Sequence, residues 1–163
     1  MLLATAPIMA ADFMSQVKLI DPPQPVPALV FEDADKQQHT LADYRGKFVL
    51  LNVWATWCAP CVKEMPSLEA LARLFDPRKF AVLPLSEDRA DSAATAFYHT
   101  HALTHLPIAV DAAGIAPSAL RLHGLPTSIL IDPQGREVAI IEGDADWAAP
   151  DAVAFLRHKI ANN

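Results

Sequence analysis

Two cysteines, Cys58 and Cys61, are the only ones in this chain of 163 residues, and two residues separate them. A nearly continuous apolar run, Phe48-Val-Leu-Leu-Asn-Val-Trp54, precedes them, and Pro60 between them suits the first turn of a helix, where no amide partner is lost. That spacing predicts both sulfurs on the first helical turn, close enough to close a small disulfide ring without backbone movement. Unpaired amides and the helix dipole favour a thiolate on Cys58 and so a nucleophile near neutral pH. Cys61, a turn further in, is expected to be more buried and less ionised. The implied division of labour is attack by Cys58 on a partner disulfide and resolution of the mixed disulfide by Cys61. Glu64 lies three residues after Cys61 and therefore on the same helical face. Trp57 is expected to flank the thiol as an apolar lid, Trp54 to be plain core, and Asn52 to be a polar residue within the strand.

The elements that must hold these residues alternate. Short strands are predicted at Ala28–Glu32 and Gln38–Leu41, then buried strands at Lys47–Trp54 and Phe80–Leu85, the former reading as a parallel strand covered on both faces. The helix after Cys58 carries the stripe Met65, Leu68, Leu71 and Phe75. Ser86-Glu-Asp-Arg89 reads as a helix start, with helix over 89–103, and Glu87 is either part of that cap or a further acid near the thiols. A short strand at Leu106–Val110 and a helical turn at Pro117–Leu122 follow. Thr127–Asp132 and Glu137–Glu142 are joined by Pro133-Gln-Gly-Arg136, a hairpin with glycine where positive φ is needed. An amphipathic helix over Ala149–Ile160 ends the chain. Strands alternating with helices and finishing in a hairpin plus helix indicate an α/β sandwich with a mixed sheet.

The length and composition suit one ordinary domain: 52% hydrophobic, 20% charged, mean hydropathy +0.19. Thirteen Lys and Arg against nineteen Asp and Glu leave a charge of −6, which argues against nucleic acid as a partner. Two cysteines are too few for a four-cysteine zinc site. His99, His101 and His105 cluster without an obvious third convergent ligand and read as a solvated helix end, so no metal and no cofactor beyond the cysteine pair is expected. At the chain start, Met9, Phe13, Val17 and Ile20 recur as one helical stripe, compatible with a docking helix or with a trimmed export or anchor segment. Four prolines among residues 21–27 make a stiff extended connector. The expected division is therefore an N-terminal helix and connector over 1–27 and a domain over 28–163.

Val53-Trp-Ala-Thr-Trp-Cys-Ala-Pro-Cys-Val-Lys-Glu-Met-Pro66 resembles the active-site segment of the TlpA/ResA/CcmG (DsbE) branch of the thioredoxin superfamily, which comprises exported thiol–disulfide oxidoreductases. The likeness extends through Leu41-Ala-Asp-Tyr-Arg-Gly-Lys47, Gly124-Leu-Pro-Thr-Ser-Ile-Leu-Ile-Asp-Pro-Gln-Gly135 and Glu142-Gly-Asp-Ala-Asp-Trp147. The Trp147 segment and the proline-rich connector are most similar to the TlpA type, although the second cysteine pair that TlpA-type chains can carry is absent. The resemblance implies a thioredoxin-like mixed sheet flanked by helices. It also implies a cis peptide before Pro126, against a base rate of about 5–6% for X-Pro bonds. The backbone of Leu125 would then offer strand-like hydrogen bonds to an extended partner segment, and Glu64 would lie near the cysteines and influence their protonation.

The uncharged Ala59-Pro60 spacer and a nearby ionisable Glu64 disfavour the thiolate and point toward a reductant. By the same resemblance the clients are cysteine pairs of apocytochromes or copper-site proteins, the electron donor is a membrane protein of the CcdA/DsbD type, and the location is periplasmic or otherwise extracytoplasmic. The alternative use of the same sulfurs is a copper(I) metallochaperone module. A thiol peroxidase would need a Pro-x-x-x-Thr-x-x-Cys setting that is absent.

Overall fold

The computed structural model describes residues 13–163. In chain order the elements are α1 (Phe13–Gln16), β1 (Val17–Pro25), β2 (Val30–Glu32), β3 (Gln38–Thr40), a 3-10 turn (Leu41–Tyr44), β4 (Phe48–Trp54), α2 (Ala59–Ala72) and β5 (Phe80–Ser86). Then come α3 (Asp91–Thr100), β6 (Ala109–Val110), α4 (Ala116–Ala119), β7 (Thr127–Ile131), β8 (Arg136–Glu142) and α5 (Pro150–Ala161). Among the described residues the strands form one mixed sheet in the order β1-β8-β7-β4-β5-β6-β2-β3. β4 pairs parallel with β5 over its whole length and antiparallel with β7. This is the flanked mixed sheet of the α/β class that the alternation predicts.

β4 lies at the centre, and every one of its seven residues is buried. Its alternation divides the core. Phe48, Leu50 and Trp54 face α2, α3 and α5, where they meet Met65, Leu68, Tyr98, Phe155 and Leu156. Val49, Leu51 and Val53 face the opposite layer with Leu41, Ala116 and Leu120. Each such side chain taken fully out of water is worth roughly 1.5–3 kcal/mol, so the strand that carries the cysteines at its end is firmly anchored.

Two sequence expectations are corrected. The helical stripe through Val17 and Ile20 does not form: α1 ends at Gln16, and Val17–Leu19 pair with Ile141–Ala139 of β8. Met9 lies outside the described residues. The prolines that follow are compatible with β1 because it is an edge strand, where a missing N–H costs no ladder bond; pairing is interrupted between Leu19 and Gln24. The second correction concerns Ser86–Arg89. Ser86 ends β5 and α3 starts only at Asp91, with Ala90 as an N-cap that makes no side-chain bond. Ser86 bonds Asp88 instead, and Asp88 accepts from Thr56.

Candidate active site

β4 ends at Trp54, and the chain turns over Ala55–Cys58, a turn closed by the Cys58 N–H donating to the Ala55 carbonyl at 3.2 Å. α2 starts immediately, with Pro60 in its first turn and Cys58 as its N-cap. The Cys58 sulfur accepts the Cys61 N–H at 3.3 Å. The two sulfurs are joined as a disulfide with the Cα atoms 5.2 Å apart. Cys58 keeps 7% of its surface open and Cys61 none. A thiolate at Cys58 would therefore sit on the free amides of a helix N-terminus, the position that lowers a thiol pKa, while Cys61 would be shielded.

The β4–β7 register sets Val53 beside Thr127, so Pro126 lies at the end of the sheet that delivers the cysteines. The Leu125–Pro126 peptide is cis. Thr127 Oγ1 donates to the Gly124 carbonyl at 2.7 Å, and the Gly143 N–H donates to the Pro126 carbonyl at 3.0 Å. Trp57, 70% exposed, and the half-buried Leu125 both line a cavity of about 930 Å³, with Glu87, Asp111, Pro117 and Leu122 among its other walls.

Glu64 is buried, with 2% of its surface exposed, and turns away from Lys63, which pairs with Asp144. Its Oε1 accepts from Asn52 Nδ2 at 2.6 Å; its Oε2 accepts from the Ala145 N–H and from Trp147 Nε1, both at 3.1 Å. Asn52 also donates to Ser128 Oγ at 2.9 Å, its cross-strand neighbour on β7. Burial raises the Glu64 pKa to about 7 against the opposing effect of these three donors. A carboxyl one turn beyond Cys61 thus titrates near neutrality.

Glu87 stands at the mouth of the cavity against the buried Asp111, whose Oδ2 accepts the Ala116 N–H at 2.6 Å. Burial and the Asp111 carboxylate push Glu87 up to about 8. The three histidines are occupied separately. His105 Nδ1 lies 2.7 Å from the buried Glu69, the His101 ring stacks on Phe97, and His99 is exposed. Among the described residues no group of three or more His, Cys, Asp or Glu side chains is arranged to hold a metal ion.

Asp111 carries no distinguishing signal in sequence, Asp88 reads only as part of a helix start, and Ser128 and Trp147 stand out only as members of the segments that carry the family resemblance. Asn52 has a signal of its own: a lone amide inside an apolar strand.

The AhpC/TSA family model matches residues 22–139. The thiol–disulfide oxidoreductase ResA of Geobacillus thermodenitrificans is 32% identical over 133 residues, 82% of this chain and 76% of that protein. ResA of Bacillus thuringiensis subsp. konkukian is 35% identical over 118 residues, 72% and 68% of the two chains. Among solved structures, a thiol:disulfide interchange protein DsbE from Chlorobium tepidum superposes with a TM-score of 0.72 at 24% identity, covering 87% of this chain and 96% of that one. A DsbF homologue from Corynebacterium diphtheriae superposes at 0.71 and 23%, covering 96% and 95%. Those two share the thioredoxin-like fold. The chain belongs to the AhpC/TSA family and, with the Cys58–Cys61 disulfide at the head of α2, is a thiol–disulfide oxidoreductase.

Proposed function

We propose that the protein is a reductant of cysteine pairs in exported client proteins, of the kind matured into cytochromes or copper sites. The cycle is balanced by two exchanges. The Cys58 thiolate attacks one client sulfur, forming a mixed disulfide and releasing the other client sulfur as a thiol; the Cys61 thiolate then attacks Cys58. The client leaves as a dithiol and Cys58–Cys61 remains as the disulfide. That disulfide is the only electron carrier the cycle needs, and a membrane thiol donor of the CcdA/DsbD type returns the two electrons. The observation that carries the direction is the surroundings of Cys58. Its spacer, Ala59-Pro60, brings no charge, and the acid on the next turn, Glu64, is buried with its pKa raised to about 7. A negative charge there works against the thiolate and thus against the reduced state. Leu125 and Pro126 present the client-facing main chain: among the described residues no hydrogen bond occupies the Leu125 N–H or C=O. An extracytoplasmic location follows from the client class; no helix of the described residues is long and apolar enough to cross a membrane.

Equilibration with glutathione tests the direction. The pair is expected to be more reducing than about −180 mV, the value of a disulfide isomerase, and a value near the strong oxidants at about −120 mV would overturn it. Cys61→Ser, which stalls the cycle at the mixed disulfide, is expected to trap a client on Cys58.

A further inference from the structure

The active-site turn is gripped by a carboxylate that the disulfide chemistry itself does not use. Asp88, 5% exposed, lies two residues beyond β5. Its Oδ1 accepts the Thr56 hydroxyl at 2.7 Å, and the Thr56 N–H reaches Oδ2 at 3.0 Å and Oδ1 at 3.3 Å. Ser86 Oγ donates to Oδ2 at 2.7 Å and accepts the Asp88 N–H at 3.1 Å, which ties the carboxylate to the end of the buried strand. Thr56 and Trp57 are the two central residues of the turn that Cys58 closes onto Ala55.

Asp88 therefore holds the first central residue by both its main chain and its side chain. The second central residue, Trp57, is 70% exposed and has little packing to set its direction. The backbone that bears such a side chain decides where its Cα–Cβ bond leaves the turn and which rotamers it can take. The next residue is Cys58, whose main-chain position is set by the same turn.

We infer that Asp88 is a positioning residue of the thiol–disulfide exchange. By fixing the Thr56 peptide it aims Trp57 across the cavity toward Leu125 and so shapes the surface that receives the client. This rests on the reading that a client disulfide docks between Trp57 and the Leu125–Pro126 loop. Charge-assisted bonds from a carboxylate to two donors of one residue are the strong and directional kind. Ordering the turn in advance removes that cost from client binding. The expected signature is thus in KM and in the mobility of Trp57.

Reduction of a synthetic peptide closed by a Cys-Ala-Ala-Cys disulfide is measured with wild type, Asp88→Asn, Trp57→Ala and the double variant. In parallel, the fluorine resonance of 5-fluorotryptophan at position 57 is followed, assigned through Trp57→Phe. Asp88→Asn keeps the size but replaces one acceptor oxygen by a donor facing Thr56. Its KM is expected to rise about tenfold, the change that about 1.4 kcal/mol of lost binding gives, and the Trp57 resonance to broaden or split. In the Trp57→Ala background, Asp88→Asn is expected to add nothing further to KM.

An unchanged KM and resonance in folded Asp88→Asn would overturn the inference, as would an equal rise in KM with and without Trp57. Should Asp88→Asn not fold, Thr56→Val removes the hydroxyl bond alone. It is expected to shift KM and the resonance in the same direction by less, and no shift in either overturns the inference. Wild-type protein that fails to reduce the peptide removes the docking reading instead, while the fluorine resonance still decides whether Asp88 orders Trp57.

Discussion

At the scale of single residues, the two sulfurs are chemically unequal because one is the N-cap of α2 and the other is inside it. Alkylation of the reduced protein at neutral pH is expected to modify Cys58 well before Cys61; equal rates, read by peptide mass mapping, would contradict the assignment of Cys58 as nucleophile. Glu64 couples to that titration. With its pKa at about 7 it changes charge in the pH range where a helix-capping thiol does. Glu64→Gln is expected to lower the apparent Cys58 pKa by on the order of one unit and to make the disulfide less reducing, followed as thiolate absorbance against pH. The substitution can be accommodated. Asn52 Oδ1 is buried and meets no donor in the present arrangement, so a turned Asn52 amide would accept from a glutamine NH₂ while the glutamine carbonyl oxygen keeps Ala145 and Trp147. The importance of the position was visible in its spacing from Cys61. Its partners were not, since Asn52 comes from β4 and Ala145 and Trp147 from the segment after β8, 81 to 83 positions beyond Glu64.

Elements matter here through what ends them. β4 is held on both faces and between two strands, so its terminus presents Ala55–Cys58 from a rigid base, and Ser86 and Asp88 at the end of neighbouring β5 secure the turn. Read along the chain, Ser86-Glu-Asp-Arg89 has the composition of a helix cap. Asp88, held by Ser86, is drawn instead to Thr56, which the parallel β4–β5 pairing brings alongside. At the opposite end of the sheet, the β7–β8 turn does structural work only. Asp132, almost fully buried, accepts from the Gln134 and Arg136 N–H groups and from the Arg136 guanidinium. Gly135 has φ +78°, and its carbonyl takes the Val26 N–H. An added Cβ would also meet the Arg45 guanidinium at 2.6 Å, a group able to swing away, so the backbone strain decides the cost. Gly135→Ala is expected to lower stability by about 1–2 kcal/mol and to leave the Cys58-over-Cys61 alkylation order intact, measured by urea unfolding and mass mapping. The hairpin and its glycine were legible from Pro133-Gln-Gly-Arg136, because turn chemistry is local.

For the whole molecule, the buried Glu64 and the half-buried Glu87 contribute a pH dependence of the same sign. Glu64 and Glu87 hold their protons to about 7 and about 8 in the fold, against an ordinary value near 4.5 in the unfolded chain. Between those values the folded state binds more protons, so stability is greatest at the acid side of the interval and declines as pH rises through it. Glu64 alone accounts for a decline of at most about 3 kcal/mol. Urea unfolding of the oxidised protein at about pH 5 and about pH 8 is expected to show the decline, and Glu64→Gln to flatten it; a pH-independent difference between the two proteins would contradict the assignment. The sequence by itself determined the α/β class, the order of the main strands and helices, the place of Cys58 and Cys61 at a helix start, and the hairpin. These depend on periodicity, on proline and glycine, and on spacing within a few residues. Only the tertiary structure decided that residues 17–20 belong to an edge strand rather than extending a helix, since β8 supplies the ladder that overrides the helical stripe. It alone decided that Glu64 is buried, because the donors that make burial tolerable arrive from β4 and from the segment after β8. It likewise brought Asp88 to Thr56 and Glu87 to Asp111. Burial and hydrogen-bond partnership across 12 to 83 positions are properties of register and packing, and no local pattern in the chain carries them.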